Sequence, residues 1–266
     1  MPKHSVTIAI AMHKSYRAPD DSMYLPLHVG AALNPDVLPG LTQDDSGENI
    51  SRLNRYLSEL TGMYWLWKNN DSAYKGLVHY RRYFATKHMM RWFKGDRFNR
   101  ILGQEELLEV LRHSNVIVPA KRRYFIETVQ SHYAHTLFER QLDVTRGVLQ
   151  DLDPKSVPYW DRIMNRRSAH LFNMMIMDSK TFDAYCSWLF PILFELMKRL
   201  DPDQYDAFHA RYPGRISEIL LNVWLDENHI SYTTMPTMYT EFINWPKKIT
   251  GFLKAKFTKQ RYSASF

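Results

Sequence analysis

The sequence predicts an α/β domain. Short apolar runs of strand character alternate along the chain with longer segments of helical period, the pattern of strands covered by helices. The chain has 266 residues, of which 45% are hydrophobic and 14% aromatic, enough to close a substantial core. No internal repeat, low-complexity tract or linker composition divides residues 1–241. We therefore expect one domain with a mostly parallel central sheet, followed by a distinct tail over 242–266.

Val6–Met12 is the first strand candidate, ending at His13-Lys14. It is too short, and lacks the small-residue cleavage site, to be a signal peptide. Residues Ser15 to Gly47 are rich in Pro, Asp and Gly and read as a long functional loop with a short helical turn. Asn49 or Ser51 can cap a helix to about Lys68, whose Leu53, Leu57, Leu60, Tyr64 and Trp67 fall on one face. Asn69-Asn70-Asp71 ends it. Leu77–Tyr80 and Val116–Val118 are the next strands. A helix is expected from about Ser131 to Leu149. His170–Met177 reads as a strand buried on both faces. A long amphipathic helix over Thr181–Leu200 should bend near Pro191. Ser217–Glu227 is a further helix with Gly214 just before it, and Ile230–Thr234 a last strand.

The tail differs. From Phe242 to Phe266 there is no acidic residue, but Lys247, Lys248, Lys254, Lys256, Lys259 and Arg261 are interleaved with Ile249, Phe252, Leu253 and Phe257. That is the pattern of a basic amphipathic helix on an anionic membrane surface, or of a helix packed on the domain with a solvated basic face. No segment has the ~18 consecutive apolar residues that a membrane span requires. Cys186 is the one cysteine, so no intrachain disulfide can form and a reducing compartment is expected. The expected location is cytoplasmic, peripheral on the inner face of the plasma membrane.

Net charge is +7, which favours an anionic partner. The strongest local signal is His79-Tyr80-Arg81-Arg82-Tyr83-Phe84, where a strand ends in a histidine and two arginines caged by aromatics. Ligands of open α/β sheets sit beyond the carboxyl ends of strands. Guanidinium groups hold phosphate oxygens through a planar fork. The pattern implies a phosphorylated ligand such as a nucleotide-sugar diphosphate, against a salt-bridged surface strand as the alternative. Lys121-Arg122-Arg123-Tyr124-Phe125 also mixes basic and aromatic residues, but no nucleic-acid module is recognisable and no nucleic-acid partner is expected. Walker, dinucleotide, zincin and Gly-x-Ser-x-Gly patterns are absent. His132 and His135 stand three apart on a helix, a spacing open to a metal or to a polar face.

Asn49-Ile50-Ser51, Asn54, the run Glu59 to Asn69 and the run Gly76 to Phe84 together resemble a family of bacterial capsular and exopolysaccharide glycosyltransferases. Phe172-Asn173-Met174-Met175-Ile176, Tyr185 to Phe190 and Arg211 to Glu218 extend the likeness, which runs from His13 to about Glu241. The resemblance implies a fold like the A-type (GT-A) nucleotide-sugar transferases. It also implies hexosyl transfer, with galactofuranose from UDP-galactofuranose as the donor. The acceptor would be a polyprenyl-diphosphate-linked oligosaccharide of a capsular, exopolysaccharide or O-antigen repeat. A GT-A-like binding protein without catalysis is the rival.

Such transferases carry an Asp-x-Asp pair that holds a divalent metal at a strand end. Here that end is His79-Tyr80-Arg81, so the expectation is no metal cofactor, with Arg81 and Arg82 neutralising the diphosphate. Manganese on an acidic pair such as Asp44-Asp45 stays open. By the same resemblance His13 and Lys14 lie where uridine rests, Asn54 and Glu59 orient nucleotide or sugar, and Asn173 contacts the donor sugar. For the general base, Glu218 is the first candidate and Asp178 the second. Glu218 at a helix N-terminus could instead serve the helix dipole.

Overall fold

The computed structural model describes residues 5–93 and 95–241. The expected basic helix over 242–266 lies outside the described residues. Eleven strands are described: β1 (Val6–Met12), β2 (Tyr24–His28), β3 (Thr42–Gln43), β4 (Tyr74–His79), β5 (Arg82–Phe84), β6 (Val116–Pro119), β7 (Arg122–Arg123), β8 (Ser168–Ala169), β9 (Met175–Asp178), β10 (Thr233–Met235) and β11 (Thr237–Tyr239). The helices are α1 (Asn54–Leu57), α2 (Leu60–Asn69), α3 (Met89–Trp92), α4 (Gln104–Leu111), α5 (Val129–Thr136), α6 (Glu139–Leu152), α7 (Val157–Met164), α8 (Ser179–Arg199) and α9 (Tyr212–Glu227).

The sheet runs β10-β6-β9-β4-β1-β2-β3, with every strand parallel except β9. β5 turns back from the end of β4 and pairs with β11, while β7 and β8 form a separate ribbon. Side-chain alternation builds two cores from the same strands. Ala9, Ala11, Leu77, Met175 and Met177 face α2, α8 and α9. Ile8, Ile10, Val78, Ile117 and Ile176 face α4 and the aromatic Tyr83 and Phe84. Each fully buried Ile or Leu contributes roughly 1.5–3 kcal/mol. β4 needs glycine at Gly76, because a Cβ there would lie 2.9 Å from both Ile176 Cγ1 and the Met175 carbonyl of β9.

The expected loop over Ser15–Gly47 holds two strands, β2 and β3, besides a 3-10 turn at Pro35–Val37. Pro26 hides β2 from a propensity reading. Val29 N–H bonds the Met12 carbonyl, so by alternation the Pro26 nitrogen faces away from β1 and costs that ladder nothing.

The expected helix from residue 49 or 51 to Lys68 is broken. A 3-10 turn (Ser51–Leu53) and α1 end at Ser58, whose φ of 52° is left-handed, before α2 starts. Asn54 Nδ2 holds this break by donating to the Ser58 carbonyl at 2.8 Å. The helix expected over 131–149 is likewise two, α5 and α6, parted where Phe138 swings out to pack on Tyr205 and His209.

The expected strand over His170–Met177 is shorter. Only β9 is extended, and Phe172 (φ 81°) and Asn173 (φ 49°) form a left-handed turn before it. The last helix starts earlier than Ser217, at Tyr212, with Pro213 in the first turn, where its missing N–H costs nothing. Gly214 is therefore inside α9, and Glu218 is in its second turn.

Candidate active site

One end of the sheet gathers the charged residues. β1 delivers His13 and Lys14, and β4 delivers His79 before the tight Tyr80-Arg81 turn into Arg82. Because β9 runs the other way, its beginning lies at this same end and brings Phe172 and Asn173 there. Its finish is at the opposite end, where Asp178 pairs with Tyr74. The Asp178 carboxylate caps α8, accepting from Thr181 N–H at 3.0 Å and Thr181 Oγ1 at 2.5 Å. Asp178, the second candidate for general base, therefore stands at the far end of the sheet from the charged cluster.

Aromatic rings hold the cations in place. Tyr80 is buried, its ring 5.0 Å from His13 and 4.5 Å from His79. Lys14 Nζ lies 5.5 Å and the Arg81 guanidinium 5.1 Å from the Tyr80 ring centroid. Arg82 is clasped between Phe172 at 3.8 Å and Tyr239 at 4.7 Å, its buried Nε without a hydrogen-bond partner among the described residues. Arg81 meets Glu241 only loosely, at 3.4 Å. Burial, then Arg82 and Arg81, push the His79 pKa down to about 3. Burial, then Arg211, Arg81 and Lys14, lower that of His13. Both imidazoles are thus held neutral in a field that favours an anion.

Two carboxylates face this cationic wall. Asn173 Nδ2 donates to Glu59 Oε1 at 2.8 Å and to the Gly214 carbonyl at 2.9 Å, and its Oδ1 accepts from Ser217 Oγ at 2.6 Å. The turn at Asn173, the helix break before Glu59 and the first turn of α9 are locked together. Glu218 follows one turn along α9, and its pKa rises to about 7 through burial and then repulsion from Glu59. The Phe172 amide, Arg215 and Arg82 pull the other way. A dipole role for Glu218 fails, since it sits beyond the first turn of α9.

Arg211 and Arg215 complete the cluster, and neither was among the candidates. Arg211 Nε donates to Ser58 Oγ at 2.9 Å, tying α9 to the helix break. Arg215 stacks on Phe208 at 4.6 Å, and its buried Nε is unpartnered among the described residues. With α9 starting at Tyr212 and Arg211 as its cap, the spacing Arg211, Arg215, Glu218 sets all three along one side of the helix.

Two other candidates stand back from the cluster. Asn54 Nδ2 is committed to Ser58 and to Thr61 Oγ1, bracing the loop beneath Gly30. Asp44 is buried and accepts from Gly30 N–H, Ala31 N–H, Ser51 Oγ and Thr61 Oγ1, which leaves its carboxylate no lone pair for a metal. Of the Asp44-Asp45 pair, Asp44 is thus committed to the protein's own donors. Among the described residues, no three His, Cys, Asp or Glu side chains gather as a metal-ligand set. A cleft of about 580 Å³ at the start of α4, lined by Asp21, His88, Arg91 and Glu106, contains none of the cluster residues.

The fold is GT-A-like. A solved structure described as the apo form of WbbM, a bifunctional glycosyltransferase, is similar with a TM-score of 0.80 and 25% sequence identity. The likeness covers 88% of this chain and 45% of that one, so the chain spans less than half of that protein. No curated protein matches. A family model described as a domain of unknown function, DUF4422, matches residues 7–229, and the chain belongs to that family.

Proposed function

We propose that the chain is a glycosyltransferase that moves a hexose from its UDP derivative onto a lipid-linked polysaccharide repeat, without a divalent metal. The likeness to a glycosyltransferase structure supports the class of reaction. The observation that carries the mechanism is the meeting of Arg81, Arg82, Arg211 and Arg215 with a carboxyl whose pKa is raised to about 7. Galactofuranose as the sugar rests on the resemblance of the His-Tyr-Arg-Arg-Tyr-Phe run, as does the polyprenyl diphosphate on the acceptor.

In this reading the diphosphate lies against Arg81 and Arg82, with Lys14 and Arg211 beside it. The neutral His13 and His79 line the same wall. Glu218 takes the proton from the acceptor hydroxyl as its oxygen attacks the anomeric carbon. The bond from that carbon to the diphosphate oxygen breaks, and the electron pair leaves with UDP. Fixed guanidinium groups stabilise the charge on the departing UDP as a metal ion would. A base with a pKa near the working pH suits the proton transfer. Glu59, held by Asn173, keeps Glu218 basic and in this reading meets a sugar hydroxyl. Inversion follows from a single displacement.

Among the described residues, no helix is long and apolar enough to cross a membrane. We assign contact with the inner face of the plasma membrane to the basic tail, which would bring the site to a lipid-borne acceptor. The test is release of UDP from a panel of UDP-hexoses in EDTA. Turnover by the native chain that Glu218→Gln abolishes supports the reading. The absence of turnover with any UDP-hexose, at saturating donor and with lipid-linked acceptor present, contradicts it.

A further inference from the structure

The turn that carries α3 holds its apolar side chains out to solvent. Met89, Met90 and Phe93 are 73%, 78% and 79% exposed, Trp92 is 38% exposed, and α3 buries no residue. Fraying does not account for this, because the turn is braced. Lys87 N–H donates to Glu106 at 2.7 Å, His88 N–H to Thr86 Oγ1 at 3.1 Å, and the Trp92 indole to the Thr86 carbonyl at 3.0 Å. Contiguous exposed apolar groups on a fixed support mark an interaction surface.

Charge identifies the partner. Lys87, Arg91, Arg97 and Arg100 surround the apolar tips in sequence. Of the acids nearby, Asp96 pairs with Arg17 at 2.7 Å, Asp21 accepts from Gln104 N–H and Glu106 accepts from Lys87 N–H, while Asp20 and Glu105 line the clefts that Arg91 also lines. Arg97 also donates to the carbonyls of Tyr239 at 3.2 Å and Glu241 at 2.8 Å, so the patch adjoins the point where the basic sequence of 242–266 begins. A tail without acidic residues is a poor cover for a basic rim. The complementary surface is apolar inside and anionic at its boundary.

We propose that Met89, Met90, Trp92 and Phe93 insert into an anionic lipid surface, with Lys87 and Arg91 at the headgroups, as a contact separate from the tail. The proposal rests on the lipid-linked acceptor suggested above and adds the residues that meet the bilayer.

The test is co-sedimentation of the full chain with vesicles of phosphatidylglycerol and, separately, of phosphatidylcholine. The native chain should bind the first and not the second. The double variant Met90→Glu, Phe93→Glu should bind phosphatidylglycerol about ten-fold more weakly or worse, while keeping the native unfolding midpoint. Native binding by the double variant overturns the proposal, as does a native chain that binds neither vesicle. A double variant that changes the oligomeric state but not vesicle binding also overturns it, in favour of a second copy as the occupant. The UDP-induced midpoint shift in the same preparations reads the transferase proposal independently, so either can fail alone.

Discussion

Nδ2 of Asn173 donates to Oε1 of Glu59 at 2.8 Å, across 114 residues of sequence. Neither residue is in regular structure where they meet. Asn173 is left-handed in the turn before β9, and Glu59 follows the left-handed Ser58 at the break between α1 and α2. Left-handed non-glycine residues cost free energy and persist only where their surroundings fix them. Here the fixed product is a carboxylate held close enough to Glu218 to raise its pKa.

Asn173→Ala removes three hydrogen bonds and leaves Ser217 and the Gly214 carbonyl without this partner. We expect a loss of about 2–3 kcal/mol, measured by denaturant unfolding. With Glu59 released, the Glu218 pKa should fall, so the acid limb of the pH–rate profile moves to lower pH. A stability loss with an unmoved profile would separate Glu59 from Glu218.

Glu218→Gln should lower turnover by about 10²–10⁴-fold, the range for loss of a general base. In the native chain kcat/KM should rise with pH through about 7 as Glu218 ionises. Stability has the opposite dependence. A pKa raised from 4.5 to about 7 means the native state keeps a proton the unfolded chain gives up, so stability falls between those pH values. Unfolding curves should show Glu218→Gln gaining on the native chain as pH rises from 4.5 to 7, with no gain below 4.5.

His79 should stay neutral while its ordinary value is 6.5 and its folded value about 3. Below pH 6.5 the unfolded chain binds a proton that the folded chain refuses, so this residue removes stability as pH falls from 6.5 towards 3. The imidazole resonance of His79 should not titrate between pH 5 and 8. His79→Asn should flatten the acid side of the stability profile.

Asp44→Ala deprives two backbone N–H groups and two hydroxyls of their acceptor. We expect destabilisation of about 3 kcal/mol or more. Manganese should not restore the variant, and EDTA should not alter the native midpoint. A midpoint that manganese raises in the native chain but not in Asp44→Ala would return Asp44 to the role of ligand.

The sequence was most readable where burial follows a simple period. β1 and β4 are apolar on both faces, and α8 repeats its stripe through Pro191, so these were found within a few residues. What escaped was set by tertiary contacts. β2 carries a proline that only its place in the sheet excuses. Ser58, Phe172 and Asn173 adopt left-handed backbone that no composition announces, and these breaks bring Glu59 to Glu218. His79, Arg81, Arg82, Asn173, Glu59 and Glu218 do converge, because the topology brings the turn before β9 to the end of β4. Asp178 was misplaced by the same fact, since the direction of β9 could not be read from its apolar run. Arg211 and Arg215 lie before the Ser217 start that the apolar period predicts for α9; Pro213 is the signal for the earlier start.

Thermal unfolding of the native chain and of Arg81→Ala with UDP, GDP and CMP, each with manganese or with EDTA, tests the arginine-built diphosphate site. A ligand that binds only the folded state raises the midpoint. Arg81 is part-exposed and only loosely paired, so its loss should leave the fold intact. UDP should raise the midpoint more than GDP or CMP, undiminished by EDTA, and the shift should be much reduced in Arg81→Ala. No shift with any nucleotide at saturation would contradict it, and a shift that needs manganese would contradict the arginine-built diphosphate site.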